Sequence, residues 1–97
     1  MKIVLANGCF DIFHYGHLRH LIAASLMGDS LVVSVTGDNF VNKGPGRPIF
    51  RGWQRADIIR ELKFVDRVII VKGLSQALKI VKPDILVKGK EYKGNME

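Results

Sequence analysis

The stretch that decides the fold is Asn7-Gly8-Cys9-Phe10-Asp11-Ile12-Phe13-His14-Tyr15-Gly16-His17. The apolar run Ile3-Val4-Leu5-Ala6 leads into it, and an amphipathic run beginning at Leu18 leads out. That pattern is a strand, a glycine-bearing loop and a helix start. In a doubly wound sheet, a first strand-to-helix junction of this kind points its loop at the ligand crevice. The helix end contributes free backbone N–H groups and a partial positive charge, both suited to a phosphate. His14 and His17 are three residues apart, a spacing that aims two imidazoles to one side of a helix start. Gly16 between them keeps the backbone open to a close approach.

Working outward, residues 2–7 read as a buried strand. A helix over 17–27 follows, with Leu18, Leu21, Ile22 and Leu26 on one stripe and Gly28 as its stop. Residues 31–36 form a second β-rich run, so the first third of the chain is a βαβ unit, which requires a parallel pair. Gly37-Asp38-Asn39 closes that strand, and a Gly/Pro loop with two cations runs from Lys43 to Pro48. A second helix is expected over 51–63, with Trp53, Ala56, Ile59 and Leu62 inward. A strand over 65–71, a helix carrying Leu74, Ala77, Leu78 and Val81 and ended by Pro83, and a strand over 84–87 complete the alternation. Strands alternating with helices mean a parallel sheet covered on both faces.

The 97 residues make one domain. No run approaches the ~18 apolar residues of a membrane span, and the N-terminus enters a strand without the apolar core of a secretory signal. The single cysteine, Cys9, excludes an internal disulfide framework, fits a cytoplasmic chain, and reads as a small apolar residue packed under its loop. The net charge is +6, and in 43–67 seven cations outnumber three acids. Such a cluster can serve nucleic acid or an anionic small molecule. Arg60, beside Asp57 and Glu61, reads as part of a solvated helix face.

Gly8-Cys9-Phe10-Asp11-x-x-His14-Tyr15-Gly16-His17 resembles the Gly-x-Phe-Asp-x-x-His-x-Gly-His signature of the cytidylyltransferase-like nucleotidyltransferases. Class I aminoacyl-tRNA synthetases carry a related His-x-Gly-His, but this chain is far too short for one and has no Lys-Met-Ser-Lys-Ser segment. The resemblance implies a doubly wound, Rossmann-like α/β sheet of order 3-2-1-4, with a fifth strand and final helix that the family usually adds not matched here. It implies transfer of a nucleotidyl group from an NTP to a phosphorylated small molecule, with release of pyrophosphate. His14, His17 and Lys43 would act on the phosphates. Asn7, Gly8, Cys9, Phe10, Gly16, Lys88, Gly89 and Glu91 would surround the nucleotide. Asp11, Asp38 and Arg55 would lie on the acceptor side. Mg²⁺ would ride mainly on the triphosphate, with no protein metal cage.

Within the family, 43–49 and 83–89 look most like the heptose-1-phosphate adenylyltransferases, which favours ATP. Phe64-Val65-Asp66-Arg67-Val68-Ile69 resembles glycerol-3-phosphate cytidylyltransferase, the CTP-dependent alternative. Lys88-Gly89-Lys90-Glu91-Tyr92 departs from the adenylyltransferases' usual Lys-Gly-Gly-Asp-Tyr. A nucleotide-binding module without turnover is the reading from another class, and a nucleic-acid-binding domain, for which charge speaks but no motif, ranks third. An open edge on the fourth strand predicts a homodimer.

Overall fold

The structure is a computed structural model that describes residues 1–41 and 44–88, without the side chain of Lys88. Lys43 and residues 89–97, hence the expected roles of Lys43, Gly89 and Glu91, lie outside the described residues. The elements run β1 (Ile3–Gly8), α1 (Tyr15–Ser25), β2 (Ser30–Thr36), a short 3₁₀ turn (Asp38–Phe40), α2 (Gly52–Arg60), β3 (Arg67–Val71), α3 (Leu74–Val81) and β4 (Ile85–Lys88). All strand pairs are parallel, in the order β3-β2-β1-β4, as expected. Leu21 and Ala24 of α1 pack with Ala56 and Ile59 of α2 on one face of the sheet, against Val4, Ala6, Val33 and Val35. On the other face, Ala77, Leu74 and Val81 of α3 cover Leu5 and Val32. The sheet is therefore doubly wound, and the crevice opens where β1 meets β4, with Asn7 opposite Lys88 in register.

At the N-terminal ends of the strands one device is repeated. Asp29, Asp66 and Asp84 each stand just before a strand and grip a residue of the strand beside it. The Asp29 carboxylate accepts from Lys2 N (2.6 Å) while its own N–H donates to Lys2 O (2.8 Å). Asp66 holds Leu31 in the same way (2.7 and 2.9 Å), and Asp84 holds Ile3 (2.8 and 2.9 Å). Each pair satisfies an N–H and a C=O at a strand start, Lys2 O being shared with Ser30 N (3.2 Å), and so helps fix the register of every strand pair.

Helix rotation differs from the sequence expectation in all three helices. In α1 the buried stripe is His17, Leu21 and Ala24, while Ile22 and Leu26 are exposed. The helix begins two residues earlier than expected and stops at Ser25, which puts Leu26 at the cap, and His17 takes a core-facing position against Phe10 and Phe13. Gly28 lies beyond that cap; a Cβ there would come within 2.7 Å of Val4 Cγ2, so close approach to β1 is what requires glycine. In α2 the inward residues are Gly52, Arg55, Ala56 and Ile59, and Trp53 is 62% exposed. A buried arginine with fixed hydrogen bonds sets that rotation, as the site shows. In α3, Ala77 is buried but Leu78 is exposed. Arg60 pairs with Asp57 on the exposed face of α2 (2.6 Å), as expected. Among the described residues no helix is long and apolar enough to cross a membrane.

Candidate active site

The loop between β1 and α1 ends on an unusual cap. Serine, threonine, aspartate and asparagine are the usual residues at a helix N-cap; here His14 holds the position with extended backbone (φ −136°, ψ 179°). Its Nδ1 accepts from Gly16 N (3.0 Å), and His17 Nδ1, one turn on, accepts from His14 N (3.2 Å). The two imidazoles thus take the place of the side-chain oxygens in a reciprocal capping arrangement. They stack with centroids 3.9 Å apart and ring planes 26° from parallel. A Cβ on Gly16 would stand 2.8 Å from His14 Cε1, so glycine is what lets the first ring fold over the helix end.

This cap decides the chemistry of the pair. A backbone N–H pointing at each Nδ1 requires a lone pair there, so the neutral rings carry their proton on Nε2. The unit is then a pair of parallel imidazoles, each an Nε2–H donor, fixed at the positive end of a helix. It is suited to hydrogen-bonding the non-bridging oxygens of a phosphate without any rotamer search. Phe10 supports it from below: buried, with φ at 54°, in a region bulky side chains seldom occupy, its ring meets His17 edge-on at 5.3 Å.

Two carboxylate–arginine assemblies frame the pair. Asp11, almost completely buried, accepts from Ile49 N (2.7 Å), Phe50 N (3.0 Å) and Arg47 Nε (2.9 Å), while Arg47 Nη2 also donates to Asp11 O. Burial works against the charged form of this carboxyl. The Phe50 and Ile49 N–H groups and the Arg47 guanidinium outweigh it, and the pKa falls below the usual aspartate value. The second assembly centres on Arg55, 1% exposed. Its guanidinium donates to Phe50 O (2.9 Å), Cys9 O (2.8 Å), Thr36 O (2.7 Å) and Asp38 Oδ1 (2.8 Å), and that same Asp38 oxygen accepts from Gly52 N (2.7 Å). One side chain therefore joins the loop after β1, the end of β2 and the entry to α2.

The residues singled out from the sequence come together at the C-terminal edge of the sheet. His14, His17, Gly8, Cys9, Phe10, Asp11 and Gly16 form the first loop and helix start, and Asn7 lies at the end of β1 next to β4. Of the residues expected on the acceptor side, Asp11 and Arg55 are buried and engaged by Arg47, by Asp38 and by backbone, while Asp38 binds Arg55 and Gly52 N and keeps its side chain 30% exposed. Cys9 is half-buried and lends its carbonyl to Arg55. Sequence reasoning missed Arg47, which it counted only as charge, although a cation inside Gly-Pro-Gly-Arg-Pro is a legible signal. It also missed Ser34, a hydroxyl interrupting Leu31-Val32-Val33 and Val35. No group of three or more His, Cys, Asp or Glu suited to a metal occurs among the described residues. The Asp11 carboxylate and Asp38 Oδ1 are engaged by arginines and N–H groups.

Comparison with known proteins places this geometry. A family model described as cytidylyltransferase-like matches residues 5–96. The bifunctional protein HldE of a Nitratiruptor species is 47% identical over 97 residues, 96% of this chain and 21% of that protein. The HldE of Campylobacter jejuni (strain RM1221) is 42% identical over 99 residues, 98% of this chain and 22% of that protein. The chain thus spans about a fifth of the length of the curated relatives it matches. A crystal structure of the lipopolysaccharide core biosynthesis protein from Thermoplasma volcanium GSS1 superposes with a TM-score of 0.80 at 40% identity, covering 89% of this chain and 72% of that one. With the family model matching nearly its whole length, the chain belongs to the cytidylyltransferase-like family of nucleotidyltransferases.

Proposed function

We propose that this domain transfers a nucleotidyl group, preferentially adenylyl from ATP, to a sugar phosphate such as heptose 1-phosphate, releasing pyrophosphate. The observation that carries the reading is the stacked His14–His17 pair, with both Nδ1 atoms accepting backbone N–H groups at the start of α1, beside the β1/β4 crevice. In this reading an oxygen of the acceptor's phosphate attacks the α-phosphorus of the NTP. A new P–O bond forms, the bond from the α-phosphorus to the bridging oxygen breaks, and pyrophosphate leaves with the bonding electrons. The attacking phosphate is largely deprotonated at neutral pH because its second pKa is about 6, so no strong general base is needed. Catalysis reduces to aligning anions and stabilising charge on the α-phosphate, which Nε2–H donors from His14 and His17 suit.

Lys43 takes the β- and γ-phosphates and the departing pyrophosphate. Asn7, Gly8, Cys9, Phe10, Gly16, Lys88, Gly89 and Glu91 receive the nucleotide. Mg²⁺ would be held mainly by the triphosphate oxygens and would neutralise charge there. Asp11, Asp38 and Arg55 hold the loops that make the crevice.

ATP and a heptose phosphate are favoured by the likeness of 43–49 and 83–89 to heptose-1-phosphate adenylyltransferases, and by relatives named HldE and a lipopolysaccharide core biosynthesis protein. The stretch that resembles a cytidylyltransferase, 64–69, carries less weight for CTP. Its Asp66 is occupied with Leu31 at the far end of the sheet, so that residue of the match is accounted for by strand register.

The test is pyrophosphate release with Mg²⁺, ATP or CTP, and a panel of sugar and polyol phosphates. Release that requires ATP together with one sugar phosphate is expected. Nucleotide binding with no release from any acceptor would replace the transferase by a binding module.

A further inference from the structure

Ser34 is completely buried in β2, flanked by Val33 and Val35, in a strand whose stability asks for apolar residues. A hydroxyl buried without a partner costs about 1–3 kcal/mol. Its partner is Asn7: the two are opposite each other in the parallel register, and Ser34 Oγ donates to Asn7 Oδ1 at 2.6 Å. Asn7 is only half-buried and sits at the crevice end of β1, with Lys88 of β4 opposite it on the other side. An asparagine amide has two ends of nearly equal shape and opposite polarity. The hydroxyl could accept from Nδ2 instead, but among the described residues its proton bonds only to Oδ1, so the oxygen end is the one it holds in the sheet. The other end, Nδ2 with two N–H donors, donates to no described residue.

We propose that Ser34 is a positioning residue that fixes the polarity of the Asn7 amide, presenting Nδ2 as a donor to an acceptor oxygen of the bound ligand. This rests on the transferase reading above, and it adds a group on the α3 face of the sheet to a site otherwise built on the α1 face. Two sources can supply the oxygen: the nucleotide, or the sugar phosphate. Without the hydroxyl the amide can turn, and the ligand oxygen then meets Oδ1, a repulsive contact, for part of the time.

The experiment measures binding of ATP alone, and of the sugar phosphate in the presence of a non-hydrolysable ATP analogue, for the native chain, Ser34→Ala, Asn7→Ala, the double variant and Asn7→Asp. Thermal unfolding is recorded beside each. One net hydrogen bond is worth about a three- to tenfold change in Kd. Ser34→Ala should weaken one of the two titrations by about that factor, and the titration that moves identifies the ligand bearing the oxygen. In the Asn7→Ala background the same change should do nothing further. Asn7→Asp, which still accepts from Ser34 but has no N–H donors, should bind at least as weakly as Asn7→Ala. An unmoved Kd for Ser34→Ala, an equal factor with and without Asn7, or native-like binding by Asn7→Asp would each overturn the proposal while leaving the transferase intact. A native chain that binds neither ligand would instead bring down the transferase reading, and this one with it.

Discussion

At the N-terminal ends of the strands, Asp29, Asp66 and Asp84 each bind one neighbouring residue through its N–H and C=O, and among the described residues they meet no arginine. At the C-terminal ends, Asp11 and Asp38 bind backbone N–H groups as well, but each also holds a guanidinium that reaches across to another segment. The same side chain thus does two jobs. At one end it closes the ladder locally, so the loss of one aspartate loosens one strand start. At the other it links loops far apart in sequence, through Arg47 and Arg55, so the loss of one group disturbs the whole rim around the histidines. Register is set at the end of the sheet away from the histidines, and the crevice is held by a network whose parts depend on one another.

The sharpest way to break this comparison is Arg55→Ala. Truncation strands the carbonyls of Phe50, Cys9 and Thr36 and leaves Asp38 without its buried cation. Removing one partner of such a buried pair typically costs about 3–5 kcal/mol. We expect urea unfolding to show a loss of that order, with pyrophosphate release lost as well. Arg55→Lys should recover only part of it, since an ammonium cannot span the same fork. A change below about 1 kcal/mol, the size of one ordinary hydrogen bond, would mean the rim is not a connected network.

His17→Ala should separate activity from stability. Losing one donor to the transferring phosphoryl group typically lowers the rate about 10²–10³-fold. The structural cost is that of a cap, about 1 kcal/mol. Near-native turnover in this variant would remove the histidines from the chemistry. Asp66→Ala is the counterpart at the other end: a loss of about 1–3 kcal/mol in urea unfolding, with the Kd for ATP unchanged. A shifted Kd would show that the two ends of the sheet are coupled.

The parallel sheet, its order and the location of the crevice were legible because strand–helix alternation and the Gly-x-Phe-Asp-x-x-His-x-Gly-His spacing are local patterns. Rotation of the helices was not. Periodicity offered Trp53 as an inward residue of α2, but an arginine two positions later turns the helix, and no hydropathy scale places a cation in the core. In α1 the buried His17 turns the helix in the same way. Aspartates Asp29, Asp66 and Asp84 look like ordinary loop residues in the sequence; their role depends on strands that become neighbours only in the fold. Ser34 and Arg47 were visible as anomalies, a hydroxyl in an apolar run and a cation in a Gly/Pro loop, but their partners Asn7 and Asp11 lie 27 and 36 residues away.

The smallest expected effect concerns Asp11 and is read against pH. The Asp11 carboxyl titrates in the folded protein below its usual value, because the Phe50 and Ile49 N–H groups and Arg47 outweigh the cost of burial. Relative to an unfolded value of about 3.9, a lowered folded value means that the unfolded chain takes up its proton first as the solution is acidified. The stabilisation from this group is therefore complete above the unfolded pKa and is lost as the pH falls through the folded one. In Asp11→Asn that acid-dependent part should vanish. Stability at neutral pH drops, because an amide cannot accept from Arg47 and both N–H groups at once, and the gap between native and variant narrows below about pH 4. A gap that stays constant down to about pH 2, well below the unfolded value, would show that Asp11 holds the 47–50 segment by shape alone and that its charge adds nothing to the rim.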